Sequence, residues 1–308
     1  MLGYSCYGLS VASGLELPDL GRSVDPGPSP DITIVEAPVA PRPDDAPEVL
    51  DGLWCLGAST WLDVPGVATF EVHDGSRVTF EREPGVADGD VRLFLLGTAL
   101  GAIMWQRGHL VLHGNAFAVA AGAAVVVGRS GAGKSTLAAE LDRRGHQVLS
   151  DDVVPIDDEG LALPGYPRIK LWEDAVERLG RRTDELERIT ASHAKFHVPV
   201  SRGVLSPVPA HWIYVLDTHD GTTLELEHVS GSACFDLLSA HTYRRELASG
   251  AAESWQHLQR CAALASRARI VRVRRPVSTM SPADTAEAIL DDIARHPPGA
   301  GARDKEQS

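Results

Sequence analysis

One stretch constrains this chain more than any other: Gly128-Arg129-Ser130-Gly131-Ala132-Gly133-Lys134-Ser135-Thr136. It meets the pattern G-x-x-x-x-G-K-[ST] and has the flanks that pattern needs. Ala124-Val125-Val126-Val127 before it is an apolar run suited to a buried strand. Lys134 to about Arg144 reads as a helix, ended by Gly145. Gln147-Val148-Leu149-Ser150 then reads as the next strand, ending at Asp151-Asp152. Strand, loop, helix and strand in this order predict an adjacent parallel pair with a right-handed crossover, and hence an α/β fold.

These residue types suit phosphate. Glycines let backbone N–H groups turn inward around a β-phosphate. The helix that follows adds its positive N-terminal end. Lys134 supplies a point charge to the β- and γ-phosphates, and the Ser135 hydroxyl is placed to ligate Mg²⁺, with Thr136 one step further into the helix. The expected ligands are therefore ATP, or another nucleoside triphosphate, and Mg²⁺. Of the two carboxylates that follow, one can hold the metal while the other accepts a proton from an attacking hydroxyl. A solvated Asp-Asp turn is the bland alternative. Asp217, after the apolar run Trp212–Leu216, is a rival metal ligand, and His219-Asp220-Gly221 reads as a hairpin turn.

The remaining chain divides around the loop. Residues 1–20 read as a hairpin or a pair of strands. Residues 21–48 are rich in Pro and Asp and read as a surface connection with one strand-like insert, Ile32-Thr33-Ile34-Val35. Residues 53–83 alternate apolar and polar, with turns at Pro65-Gly66 and Asp74-Gly75, as in an antiparallel meander. From Val91 to about Gln106 the period becomes helical. Leu110–His113 and Phe117–Ala120 read as two short strands; Trp212–Leu216 and Ile270–Val273 are strands, and Ala233–Ala240, Trp255–Ala265 and Pro282–Arg295 are helices. The expected organisation is a smaller acidic, β-rich α+β region over 1–105, a P-loop catalytic region over 106–296 and a disordered tail over 297–308.

Charge narrows the partners. The net charge is −13. Residues 1–108 hold six Lys and Arg against sixteen Asp and Glu. Such a surface repels phosphate backbones, so nucleic acid is not expected as a partner, and the acidic first third either steers a basic partner or only confers solubility. No apolar run reaches the ~20 residues of a membrane span, and the N-terminus lacks the pattern of a signal peptide. Cys6, Cys55, Cys234 and Cys261 show no metal or disulfide spacing, which suits a reducing cytoplasm. A homo-oligomer is left open.

Three elements stand together: His113-Gly114 before the loop, the loop itself, and Ser150-Asp151-Asp152 after it. The combination resembles the catalytic domain of HPr kinase/phosphorylase and related serine kinases, whose core is shared with phosphoenolpyruvate carboxykinase. The likeness is clearest over about residues 108–175. It implies that Asp151 is the general base for a seryl hydroxyl, that Asp152 assists Ser135 with Mg²⁺, and that His113 sits near the phosphates and the base, a purely structural His being the alternative. The bifunctional enzymes carry an acidic-Ile-Arg-Gly segment; here the stretch reads Gly165-Tyr166-Pro167-Arg168-Ile169-Lys170-Leu171-Trp172, without a matching Glu, which argues against the phosphorolytic reverse reaction. Arg168 and Lys170 are candidates for phosphate or substrate contact, with a polar strand face as the alternative. The opening Tyr4–Leu9, Leu17–Leu20, Pro167–Trp172 and His241-Thr242-Tyr243-Arg244 resemble a subgroup that includes lasso-peptide kinases; Arg244 or Arg245 is a candidate to neutralise transition-state charge, with a helix-surface Arg pair as the alternative.

The leading expectation is a Mg-ATP-dependent kinase acting on a serine of a peptide or small protein. A small-molecule kinase on the same fold and a nucleotide-sensing regulator are the alternatives. No transporter-type LSGGQ signature is present.

Overall fold

The computed structural model describes residues 1–22, 27–119, 122–166, 168–173, 176, 187–190, 193–200, 206–248, 250–277 and 281–298. The expected tail from 299 onward, with Ala120 and Pro167, lies outside the described residues.

Short alternating segments build the first sheet. Its strands are β1 (Leu2–Cys6), β2 (Leu9–Ser13), β3 (Gly21–Arg22), β4 (Ile32–Glu36), β5 (Glu48–Leu50), β6 (Leu53–Leu56), β7 (Ser59–Val64), β8 (Ala68–His73) and β9 (Arg77–Arg82), in the order β3-β1-β2-β4-β9-β8-β7-β6-β5. The hairpin β1–β2 and the meander β6 to β9 are as the alternation predicts. The insert in the Pro-rich segment becomes an interior strand. β4 pairs in parallel with both β2 and β9 and buries Ile32 and Ile34. Every second residue of β8 and β9 (Phe70, Val72, Val78, Phe80) faces the same core.

A helical rod follows: α1 (Asp88–Phe94), a π-turn over Leu95–Ala99, and α2 (Leu100–Gln106). Leu96, Leu100, Ile103 and Met104 bury its apolar face. Gly101 is small for a steric reason. A Cβ there would come within 2.8 Å of Cε1 of Tyr243, so the tyrosine ring lies directly on the rod. The same core includes Val111, Val153, Leu163 and Tyr166 from beyond the rod.

The second sheet carries the glycine-rich loop of residues 128–136. Its long strands are β10 (Leu110–Val119), β11 (Gly122–Gly128), β12 (Val148–Ile156), β17 (Val208–His219), β18 (Glu225–Val229) and β19 (Arg269–Pro276); the two-residue β13 (Leu161–Ala162) bridges β12 and β17. Pairing runs β12-β10-β11-β17-β19-β18. A small third sheet joins β14 (Arg168–Trp172), β15 (Glu187–Thr190) and β16 (His193–Pro199).

This topology corrects four expectations. The two short strands before the loop are one, because Gly114, Asn115 and Ala116 pair on both sides of β10. β12 does not end at the aspartates but runs four residues past Asp152 to Ile156. It is not adjacent to β11 either: β10 lies between them, antiparallel to both, so β11 and β12 run the same way one strand apart. The parallel neighbour of β11 is β17, which carries Asp217. Finally, the turn at His219–Gly221 does not close a hairpin, since β18 pairs with β19 instead.

Helices cover both faces of this sheet, as a strand hydrophobic on both sides requires. On one face α3 (Lys134–Arg143) and α6 (Pro282–Arg295) pack through Leu137, Leu141, Ala286 and Ile289 against Val126, Tyr214 and Val271. On the other, α4 (Ser232–Ala240) and α5 (Ala251–Arg267) pack through Leu238, Cys261 and Leu264 against Val125, Val127 and Ile213. A capping box opens α6, with Ser281 and Asp284 bonded reciprocally and Pro282 in the first turn. No described helix is long and apolar enough to cross a membrane.

Candidate active site

Gly128 ends β11 and the loop turns above it. Gly133, the residue before α3, has φ 85°, a conformation glycine adopts without strain. Lys134 starts the helix and is almost fully buried. Its Nζ donates to the carbonyl oxygens of Gly128 at 2.8 Å and Arg129 at 3.1 Å, which holds the ammonium at the loop. Ser135 and Thr136 follow in the first turn of α3.

The two aspartates meet different partners. Asp151 is buried. Its Oδ1 accepts from Ser135 Oγ at 3.4 Å and from the Asn115 side-chain amide, and its Oδ2 accepts from the backbone N–H of Lys170 at 2.7 Å. Burial, then the charge of Asp152, push its pKa up to about 7 against the hydrogen bond and charge of Lys170. Asp152 has φ 72°, an uncommon conformation for a residue with a side chain and one that clusters at functional sites. Its carboxylate lies 3.3 Å from His113 Nδ1 and 3.0 Å from Lys170 Nζ. Burial works against the Lys170 ammonium, but Tyr166, Asp152 and Asp151 outweigh it and hold its pKa well above the usual lysine value.

The family resemblance assigns Asp152 to the metal with Ser135 and Asp151 to the acceptor hydroxyl. Asp151 is the carboxylate beside Ser135, and Asp152 lines the open cavity with His113. Strand alternation would send neighbouring side chains to opposite faces, and the left-handed backbone at Asp152 changes its direction.

That cavity measures about 1030 Å³ and runs from Gly128, Arg129 and Ser130 to the segment His241–Glu246. Asp217 lines it too, exposed at the loop edge of β17. The far wall is bonded to the near one: the His113 N–H donates to the His241 carbonyl at 2.8 Å, and the His113 ring lies 5.9 Å from that of Tyr243. Burial, then Lys134, His113 and Arg129, lower the His241 pKa to about 4, so this imidazole is neutral near pH 7. Arg244 has φ 48° and lines the cavity, with Nη2 3.4 Å from Thr98 Oγ1. Arg168 forms an ion pair with the buried Asp19 at 3.1 Å.

Two residues here escaped sequence reasoning. Asn115 shares its strand with His113, and it lies opposite Asp151 through the register of β10 and β12, which the sequence does not show. Arg275, whose Nη2 donates to the Ala132 carbonyl in the loop, follows other arginines on β19, and nothing in the sequence singles it out.

Among the described residues no group of three or more His, Cys, Asp or Glu is set to hold a metal. A hydroxyl and a carboxylate side by side do suit Mg²⁺, which takes one or two protein oxygens and completes its shell with phosphate and water. Ser135 and Asp151 form that donor pair.

No family model and no curated protein matches this chain. Among solved structures, the Hpr(Ser) kinase/phosphatase from Coxiella burnetii is similar over 60% of this chain and 97% of its own, at 13% identity and TM-score 0.31. A likeness that weak carries no argument, and the functional reading rests on the site.

Proposed function

We propose that this protein is a Mg-ATP-dependent kinase that phosphorylates a serine hydroxyl on a peptide or small protein. The observation that carries the reading is the juxtaposition of Ser135 with Asp151 and of Asp152 with the open cavity, on either side of Lys170. A loop that only held a nucleotide would not need a second carboxylate facing the acceptor space.

Each residue then has a task. The backbone N–H groups of the loop and the Lys134 ammonium hold the phosphates. Ser135 and Asp151 hold Mg²⁺, which when bound neutralises charge on the β- and γ-phosphates. Asp152, oriented by His113 and Lys170, accepts the proton of the acceptor hydroxyl as that oxygen attacks the γ-phosphorus and the bond to the β-phosphate oxygen breaks. Arg244 faces the transferring group across the cavity and offsets its developing charge. Arg168 braces the site through Asp19. Residues 1–105, acidic and β-rich, serve acceptor recognition or assembly.

The test is incubation with Mg-ATP and serine-containing peptides, read by mass spectrometry. A gain of one phosphate on serine supports the reading. Turnover on metabolites alone would move the acceptor to a small molecule, and tight Mg-ATP binding with no turnover on any acceptor would make the protein a nucleotide sensor.

A further inference from the structure

Behind the phosphate loop lies a cation that the loop motif does not include. Arg275 stands near the C-terminal end of β19, level with Thr218 of β17. Its Nη2 donates to the carbonyl oxygen of Ala132. Its guanidinium also lies against Gly133, where a Cβ would come within 3.2 Å of Nη2 and 3.3 Å of Nη1. The arginines just before it on the strand are neutralised: Arg272 lies 3.7 Å from Glu227, and Arg274 lies 3.3 Å from the same carboxylate. Arg275 is not. Its Nε is buried and donates to nothing, and among the described residues its hydrogen-bonded partner is one backbone carbonyl. A half-buried guanidinium without a carboxylate weakens a fold.

The peptide plane gives this arrangement a use. The carbonyl of Ala132 and the N–H of Gly133 belong to one trans peptide and point in opposite directions. A donor that fixes the carbonyl at the back of the loop therefore aims the N–H at the front. Its positive charge also lies beside that peptide, against Gly133. We propose that Arg275 is a positioning residue for phosphate binding: it locks the Ala132–Gly133 peptide in the anion-binding orientation and reinforces the positive potential of the loop. The bound phosphates are then the counter-charge that no protein carboxylate supplies. This inference rests on the reading of the loop as a nucleoside triphosphate site.

The test uses the full chain and compares Arg275→Met with Arg274→Met, a neighbouring cation paired away from the loop. Mg-ATP affinity is measured by competition with a fluorescent ATP analogue, and thermal unfolding is followed without nucleotide. The expected result is an affinity loss of about tenfold or more for Arg275→Met, the size of one charge-assisted contact. Its melting temperature without nucleotide stays equal to the wild type or rises, because an uncompensated charge has left the interior. Arg274→Met binds as the wild type does, and Arg275→Lys, which keeps the charge and a donor, recovers most of the loss. Binding by Arg275→Met within twofold of wild type would overturn the assignment. So would a melting temperature that falls in step with affinity, or equal losses in the Lys and Met variants. A wild-type chain that bound no Mg-ATP would instead remove the nucleotide reading, and this inference with it.

Discussion

Ser135 and Asp151 are 16 residues apart in the chain, and 3.4 Å separates the serine hydroxyl from Oδ1 of the aspartate. Ser135 stands in the first turn of α3, which follows β11, and Asp151 lies on β12, one strand beyond β10. The two aspartates should therefore fail differently when changed. Asp152→Asn keeps Mg-ATP affinity within a few-fold and lowers phosphotransfer by roughly 10²–10⁴, the range for a positioned proton acceptor. Asp151→Asn raises the Mg²⁺ concentration needed for half-maximal nucleotide binding. Titrating Mg²⁺ at fixed ATP separates the two, and identical Mg²⁺ profiles would refute the division of roles.

Asp151 also predicts a pH dependence of stability. Its folded pKa is raised from 3.8 to about 7, so the folded chain holds a proton that the unfolded chain has released. The contribution to stability is complete below the unfolded value and is lost as pH rises through the folded one. Melting temperatures without Mg²⁺ at pH 5 and pH 8 should therefore fall more steeply with pH in the wild type than in Asp151→Asn. Parallel curves would contradict the buried, protonated carboxylate.

Lys170 spans both aspartates, bonding Asp151 through its backbone N–H and Asp152 through Nζ. Lys170→Met leaves the paired carboxylates without their shared cation. Removing one partner of a buried pair costs roughly 3–5 kcal/mol; we expect about 2–3 here, because the Asp152 side chain keeps 29% of its exposure. A denaturant titration checks the loss.

Gly133 combines a left-handed φ of 85° with the nearby guanidinium of Arg275. Gly133→Ala should lose ~1–2 kcal/mol of stability from backbone strain and most of its nucleotide affinity. Calorimetric titration with Mg-ATP is the direct check, and near-native affinity in this variant would mean that the loop tolerates a different backbone.

The loop was legible in the sequence because its signal is local: glycines, a lysine and a hydroxyl at fixed spacing between an apolar strand and a helix. The Asp151-Asp152 pair was legible for the same reason, but the partners of each carboxylate were not. Those depend on a left-handed backbone at Asp152 and on which strand lies beside which, and Val148–Ile156 carries no residue that names its neighbour. Ile32–Val35 was legible as a strand, but the Pro- and Asp-rich composition around it hid that it buries two isoleucines between parallel neighbours. The helices at 232–240, 251–267 and 282–295 were found at or within a few residues of their ends, since a 3.6-residue period needs no partner to be seen. Arg275 and Asn115 act through register alone.

The ties between the first hundred residues and the rest bear on how the molecule can be dissected. The Tyr7 N–H donates to the Pro164 carbonyl at 2.7 Å, and the Trp105 indole donates to the Tyr243 carbonyl at 2.8 Å. Val111, Val153, Leu163 and Tyr166 bury themselves in the N-terminal core. A fragment beginning at residue 106 would carry the whole phosphate loop but expose that apolar surface to water, and Tyr243 would lose the glycine-lined rod against which it rests. Expressed alone, such a fragment should be insoluble. The shortest fragment that folds around this loop is one that keeps the first strand.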